Sequence, residues 1–164
     1  MLEVLFQIEK RLPELMADRQ AWQSVFVDYH APFVERLWRQ VGEHRIFLHR
    51  IHPCERSEAL FHPHPWPSAM RIVRGTYEMA VGYGKGMEPP PIASTLVMSE
   101  GSAYEMVDPD GWHYVRPLGG ATLSFMITGV PWKRESHKST KALQPLRPEV
   151  EEELLSLFEV AYRK

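Results

Sequence analysis

Two histidines separated by one residue stand in the segment FHPHPWPS, where His62 and His64 lie among prolines. On an extended strand, residues i and i+2 point to the same side, so the two imidazoles could face one ion. Neutral imidazole is a common metal ligand. The alternative interpretation is a pair of ordinary strand or turn histidines bonded to the backbone. A third ligand elsewhere in the chain would favour the metal site.

A third histidine follows a proline–glycine turn in the segment VDPDGWHYVRP. Pro109 and Gly111 predict the turn, and His113 enters the next strand directly after it. Three imidazoles leave positions open on a divalent metal, as catalysis requires, whereas a closed set of four ligands would be structural. Nitrogen ligands suit Fe, Ni, Cu and Zn about equally, so they leave the metal's identity open. We therefore predict a metal site at His62, His64 and His113.

Short segments rich in Ile, Val, Phe, Tyr and Thr follow from about residue 45, separated by glycine and proline. Their number and spacing predict a β-sandwich or barrel. The seven segments are RIFLHRIH, AMRIVRG, TYEMAVGYG, ASTLVMS, SAYEMV, WHYVRP and ATLSFMITGV.

Apolar residues recur at helical spacing on both sides of these strands. Residues 1–44 are predicted to be a helical N-terminal segment, in which one run includes Leu5 and Leu12 and a second extends from Trp22 to Val41. Residues 132–164 are predicted to be a polar linker and a last helix that begins at Pro148. With a barrel over 45–131, the expected organisation is a single domain, 1–164.

Composition limits the classes of partner. The chain has 164 residues, 44% hydrophobic and 24% charged, which suits one sizeable core. A formal net charge of −2 gives no electrostatic reason to expect nucleic acid or an anionic membrane, so a small molecule is the expected partner. Cys54 is the only cysteine, which excludes a cysteine-built zinc site. Because neither a membrane span nor a signal-peptide pattern is found, we expect a cytoplasmic protein.

The two histidine segments together resemble the paired motifs of the cupin superfamily. This resemblance covers roughly residues 45 to 131 and implies a mainly β fold, a double-stranded β-helix (jelly-roll barrel), here with N-terminal helices and a C-terminal helix. The first family motif, His-any-His followed by glutamate and glycine, and the second, Pro-any-Gly followed by histidine, are matched by His62, His64, Gly75, Pro109, Gly111 and His113.

The sequence departs from the cupin pattern at three positions. Ser68 occupies the position of the glutamate, so the family's set of three histidines and one glutamate is reduced to three histidines. Arg56 stands where glycine often begins the first motif, and Pro117 stands where asparagine often ends the second.

A three-histidine site preceded by helices is most similar to cysteine dioxygenase and its thiol-dioxygenase relatives. In that family a Ser-any-His-any-Tyr strand organises catalysis, and the corresponding residues here are Ser124, Met126 and Thr128. The resemblance implies that Ser124 is catalytic and that Met126 and Thr128 border the substrate pocket.

Further pocket candidates come from the predicted strands. Tyr77 is a second catalytic candidate, and Glu78, Tyr104 and Glu105 are comparable pocket residues. Ser68 joins the pocket through its motif position. Arginines could bind a substrate carboxylate through two hydrogen bonds, although each is more often a solvated strand residue; the candidates are Arg50, Arg71 and Arg74.

The remaining histidines are expected to lie outside the site. His49 and His52 are three residues apart, so on a strand they face opposite sides and at most one faces the pocket. Three others lie outside the predicted barrel and are interpreted as surface residues: His30, His44 and His137.

The leading hypothesis is an enzyme, a metal-dependent cupin that binds a small molecule in its barrel and activates O2 as a non-heme dioxygenase. Fe(II) is the preferred divalent metal, with Ni, Zn or Cu as alternatives. Competing hypotheses are a metal-binding or ligand-sensing cupin without turnover, and an isomerase or hydrolase that uses the metal as a Lewis acid. A homodimer is expected, because barrel edge strands and the aromatic face of residues 22–41 present surface that a symmetric partner would cover.

Overall fold

The structure is a computed structural model that describes residues 1–163, and ten strands dominate it. The strands are β1 (Gln23–Val27), β2 (Val34–Val41), β3 (His44–Ile51), β4 (His62–Pro63), β5 (Ser68–Arg74), β6 (Thr76–Tyr83), β7 (Ser94–Ser99), β8 (Ala103–Met106), β9 (Gly111–Pro117) and β10 (Thr122–Thr128). The α-helices are α1 (Leu2–Glu9), α2 (Leu12–Ala17) and α3 (Pro148–Tyr162).

The strands form two antiparallel sheets that face each other. One sheet has the order β1-β2-β3-β10-β5-β8 and the other has the order β4-β9-β6-β7. Successive side chains of a strand point to opposite sides, so every second residue of the larger sheet faces the smaller one. Their packed inner faces form the barrel core, which includes Phe47, Ile72, Tyr77, Met79, Val115 and Met126.

The helices cover the outer face of the six-stranded sheet. The apolar stripes of α1, α2 and α3 pack on the alternate residues of β3 and β10, so that a second core separates helices from sheet. Fully buried members of this layer include Leu5, Leu12, Leu48, Phe125, Ile127 and Phe158.

This architecture confirms the predicted mainly β double-stranded β-helix with N-terminal helices and a C-terminal helix. The last helix begins at Pro148, as predicted, with acidic residues in its first turn where they complement the helix dipole. No helix among residues 1–163 combines the length and the apolar character needed to cross a membrane.

The helical prediction for residues 1–44 is wrong beyond Ala17, apart from a short 3₁₀ turn at Arg19–Ala21. The segment from Gln23 to Val41 forms the antiparallel pair β1–β2, in which Val27 lies opposite Val34. The physical reason is burial on both faces: Val25 contributes to the barrel core and Phe26 to the helix-covered layer. A strand with apolar residues on both faces loses the simple alternation of an exposed strand and imitates helical spacing.

Substitution of Gly75 should test how tightly the β5–β6 turn is packed. Gly75 has φ +90°, and a Cβ there would lie 2.9 Å from the Cγ2 atom of the fully buried Thr122. We expect Gly75→Ala to lower the free energy of unfolding by about 2–4 kcal/mol through strain and crowding. Gly119 has φ +78° with nothing near its Cβ position, so Gly119→Ala should cost only about 1–2 kcal/mol. If urea denaturation shows the same loss of unfolding free energy in both variants, the crowding argument is contradicted.

Candidate metal centre

Three histidines from two strands and one loop come together at one end of the barrel. His62 on β4 lies directly opposite His113 on β9 in the sheet register, and His64 follows immediately after β4. Each offers one ring nitrogen such that the three atoms lie within 4.8 Å of one another. The structure therefore brings together the three residues that the sequence predicts as metal ligands.

Hydrogen bonds orient the three rings. The Nδ1 atom of His62 lies 2.8 Å from the carbonyl oxygen of Leu60, to which it donates in the neutral tautomer with the proton on Nδ1. The lone pair of His62 Nε2 is then free to coordinate, as metal-binding histidines require. The Nε2 atoms of His64 and His113 lie 2.6 Å apart, a distance at which one donates to the other. All three rings thus present nitrogens to one point.

Burial keeps these rings neutral. Desolvation lowers the pKa of His62 to about 4. The pKa values of His64 and His113 are held well below the ordinary histidine value, first by burial and then by the neighbouring imidazoles. A neutral imidazole binds a metal without first losing a proton. The site is therefore ready to coordinate at neutral pH.

The donor set fits a divalent transition metal. Three neutral nitrogens converge, and the metal-ligating group contains no carboxylate or thiolate among the residues that the structure describes. Such a set suits Fe, Ni, Cu and Zn and leaves coordination positions open. The Nδ1 atom of His113 is buried and has no hydrogen-bond partner within residues 1–163. With its proton on that nitrogen, His113 accepts the His64 Nε2–H bond through its Nε2 lone pair, and both Nε2 lone pairs would be available to a metal once His64 carries its proton on Nδ1.

The three rings open into a cavity of about 150 Å³ in the barrel interior. Apolar side chains from both sheets form most of its wall, among them Val27, Val34, Ile51, Met70, Val115 and Met126. The linker after β10 also lines the cavity, through Ser136, His137 and Leu143. A small and largely apolar cavity beside open coordination positions is the usual environment of a small-molecule site.

Three further histidines line this cavity. Of the pair His49 and His52, His49 faces it, in agreement with the expectation that at most one would. The prediction that His30 and His137 are surface residues is wrong, because the β1–β2 connection and the linker fold over the cavity. His44 lies outside the cavity lining, with its Nδ1 atom 3.3 Å from the carbonyl oxygen of Thr128.

The two predicted catalytic residues lie in the core outside the cavity wall. Tyr77 is fully buried, and its hydroxyl donates to the sulfur of Met70 at 3.4 Å. Ser124 is fully buried opposite His49, and its hydroxyl has no hydrogen-bond partner within residues 1–163. Neither residue is among those that line the cavity beside the three histidines.

Of the five predicted pocket residues, Met126 alone borders the cavity. Ser68 and Thr128 lie opposite each other on β5 and β10, and Met70 reaches the cavity where Ser68 does not. Arg50 points outward, because strand alternation turns its neighbours inward, and it pairs with Glu35 and Glu153. Arg71 also points outward, and its Nη1 atom donates to Glu9 at 2.9 Å. Neither arginine reaches the site.

Sequence reasoning missed Arg36, an arginine in the cavity wall. It lies on β2, and its Nε donates to Nε2 of His49 at 2.9 Å. Val34 and Arg36 share the inward face of β2 through simple alternation. That signal was available in the sequence and was concealed by the helical interpretation of the segment.

No family model matches the sequence, and no curated protein matches it. Among solved structures, the chain is similar to hydroxypropylphosphonic acid epoxidase from S. wedmorenis, with TM-score 0.47, 13% identity and coverage of 64% of this chain and 55% of the epoxidase. It is also similar to KdgF from Halomonas sp., with TM-score 0.47, 12% identity and coverage of 63% and 84%. The match therefore spans about half of the epoxidase chain. At this level of similarity the neighbours carry no information about metal or substrate.

Removal of any one of the three convergent imidazoles should weaken metal binding. We expect His62→Ala, His64→Ala and His113→Ala each to lower metal affinity at least about tenfold, because each removes a ligand. His52→Ala is the matched control, since this ring lies outside the cavity and beside Glu35. Metal content after dialysis and competition with a chromophoric chelator would measure the change. Equal affinities in His64→Ala and His52→Ala would contradict the assignment.

Acid should destabilise the metal-free protein. The native pKa values of His62, His64, His113 and His49 lie below those of the unfolded chain, which are about 6.5. At pH values between the native and the unfolded pKa, the unfolded chain binds more protons than the native protein. The free energy of unfolding therefore falls as pH drops from about 6.5 towards 4. Each ring contributes a slope of up to about 1.4 kcal/mol per pH unit. Urea denaturation with a chelator present should show this fall, and a shallower one for His64→Gln. A pH-independent value would contradict it.

Proposed function

We propose that the protein is a metal-dependent enzyme, a non-heme Fe(II) dioxygenase that acts on a small molecule bound in the barrel. The observation that carries this proposal is the convergence of three neutral, desolvated imidazoles at the wall of an interior cavity. A purely structural metal would be enclosed by four protein ligands. Here the ligand set has three members among residues 1–163, and it adjoins a cavity of about 150 Å³.

The preference for Fe(II) rests on the likeness to cysteine dioxygenase-type cupins. Bound Fe(II) would supply the redox chemistry that couples O2 to oxidation of the substrate. The positions of the family's catalytic strand hold Ser124, Met126 and Thr128, which carry neither imidazole nor phenol. The proposed substrates are accordingly not restricted to thiols, because the groups that serve a thiol in that family are replaced here.

The chain's own residues would hold and enclose the substrate. His62 is fixed through Leu60, which limits rotation of its ring and keeps its coordinating nitrogen in place. The apolar wall that includes Met70 and Met126 excludes water and strengthens electrostatic interactions at the site. His30 also faces the cavity, with burial lowering its pKa, so it is a neutral group able to accept a proton from the substrate.

Oxygen consumption separates this function from its alternatives. The iron-loaded protein, incubated with a panel of small thiols, diketones and hydroxy acids, is expected to consume O2 in a substrate-dependent manner. The zinc-loaded protein and iron-treated His64→Ala should show no uptake above background. An oxygen electrode and mass spectrometry of the products would measure the reaction.

The remaining outcomes identify the competing functions. Conversion of a substrate by the zinc form without O2 would replace the proposal with an isomerase or hydrolase that uses Lewis-acid chemistry. Metal binding without turnover of any substrate would favour a metal-binding or ligand-sensing protein. The cytoplasmic location and the homodimer stay predictions from the sequence.

A further inference from the structure

The linker between β10 and α3 folds over the cavity, and its residues 132–146 are here named the strap. The strap contains neither helix nor strand. Ser136, His137 and Leu143 of the strap belong to the cavity wall. An irregular segment that borders a small-molecule cavity is the kind of element that moves to admit a ligand.

The beginning of the strap is fixed to two neighbouring loops. The backbone N–H of Trp132 donates to the carbonyl oxygen of Pro65 at 2.7 Å. The guanidinium of Arg134 donates to the carbonyl oxygen of Gly84 at 2.9 Å and to the carboxylate of Asp110 at 3.3 Å. These bonds hold the first residues of the strap against the end of the barrel.

The far end of the strap is fixed to β1. The carbonyl oxygen of Gln144 accepts a hydrogen bond from the backbone N–H of Phe26 at 2.9 Å. The backbone N–H of Leu146 donates to the hydroxyl of Ser24 at 3.0 Å. Leu143 packs against the barrel core. The strap is therefore attached to the barrel at both ends.

The middle of the strap, residues 135–142, is held much more weakly. Within residues 1–163 its one hydrogen bond to another element is from the hydroxyl of Tyr29 to the carbonyl oxygen of His137, at 3.5 Å. Ser139 and Lys141 bond only to each other. A segment with two fixed ends and a weakly bonded middle opens locally at a low cost in free energy.

His137 brings an unpaired polar atom to this weakly held segment. Its Nδ1 atom is buried and has no hydrogen-bond partner within residues 1–163. His137 lies outside the metal-ligating group, so a metal there does not account for this nitrogen. Buried polar atoms normally have a partner, and leaving one without is costly. Because His137 lines the cavity, a molecule bound in the cavity can be that partner.

We propose that Nδ1 of His137 hydrogen-bonds to a hydroxyl group of the small molecule in the cavity, and that residues 135–142 open to admit this molecule and close on it through that bond. This inference rests on the proposed function, because it places the molecule beside the three metal-binding histidines. His137 thereby becomes a substrate-binding residue, and the strap becomes the movable part of the cavity wall.

The cavity indicates the class of molecule. A neutral imidazole presents Nδ1 either as a donor or as an acceptor, and a hydroxyl group satisfies both forms because it donates and accepts. The wall is largely apolar, and a cavity of about 150 Å³ has room for a molecule about the size of benzene. The ligand class is therefore a small, mainly apolar alcohol or phenol.

The first test is binding of two matched probes to the zinc-loaded protein. Phenol and toluene have nearly the same shape, and toluene has a methyl group in place of the hydroxyl. Zinc is redox-inactive, so the measurement does not depend on O2 chemistry. NMR titration at neutral pH gives the ratio of phenol affinity to toluene affinity. We expect His137→Leu to lower this ratio about tenfold, because it removes one hydrogen bond to phenol alone.

Two further variants locate the bond on the ring. The side-chain amide of asparagine reaches the position of Nδ1, so His137→Asn should restore much of the ratio. The matched control is His52→Leu, since this half-buried ring lies outside the cavity, and it should leave the ratio unchanged. An unchanged ratio in His137→Leu would overturn the inference, as it would if water satisfied Nδ1. Equal ratios in His137→Asn and His137→Leu would overturn the assignment to Nδ1.

The second test follows closure of the strap by limited digestion with trypsin. Lys138 and Lys141 are exposed cleavage sites in its middle, and Arg11, exposed between α1 and α2, is the reference site. We expect saturating phenol to slow cleavage after both lysines at least about threefold relative to Arg11, because the bound molecule favours the closed strap. Unchanged cleavage would overturn closure. The same slowing in His137→Leu at equal occupancy would overturn the role of His137 in it.

The outcomes of these tests are distinct from those of the proposed function. Phenol selectivity and protection of the strap that depend on His137, without O2 uptake by the iron form, would support the inference and contradict only the dioxygenase. Uptake of O2 together with an unchanged ratio in His137→Leu would support the enzyme and contradict only the role of the strap.

Discussion

Desolvation of imidazole is the constraint on which this site depends. The pairing of β4 with β9 places His62 opposite His113 at the cavity wall, where reduced contact with water disfavours a charged ring. The rings consequently stay neutral at physiological pH, which is the form that binds metals. The same exclusion of water makes every unpaired polar group in the cavity costly. The neutral state of the rings and the cost of an unpaired polar group in the cavity thus follow from one physical cause.

Local patterns in the sequence predict the metal ligands and the fold class, because both depend on short-range geometry. The i, i+2 spacing of His62 and His64 needs only an extended backbone, and His113 needs only the turn before it. The cavity wall depends on contacts that short-range patterns do not encode. His137 lies in a polar linker, and only the packing of that linker across the barrel brings it to the cavity.

Arg36 and Arg50 show how strand alternation assigns opposite roles to one residue type. Arg50 points outward from β3 and pairs with Glu35, whereas Arg36 points inward from β2 and has a neutral partner. Arg50 lies on a predicted strand and is therefore a pocket candidate, whereas the helix predicted over residues 22–41 gives Arg36 no inward position. Because β1 and β2 are buried on both faces, their sequences lack the two-residue alternation of apolar and polar side chains that distinguishes inward from outward residues.

Buried polar atoms without a hydrogen-bond partner occur inside the barrel and also beside the helices, where Arg19 and Arg39 each have one. Ser124 and His113 each have a buried polar atom without a hydrogen-bond partner within residues 1–163, and Arg36 lacks a counter-ion there. Between the helices and the six-stranded sheet, by contrast, residues such as Leu5, Phe125 and Phe158 are completely buried. A barrel selected only for stability would fill its interior in the same apolar way. The helix-covered layer thus supplies a continuous apolar core, while the barrel interior contains the cavity and its three convergent imidazoles.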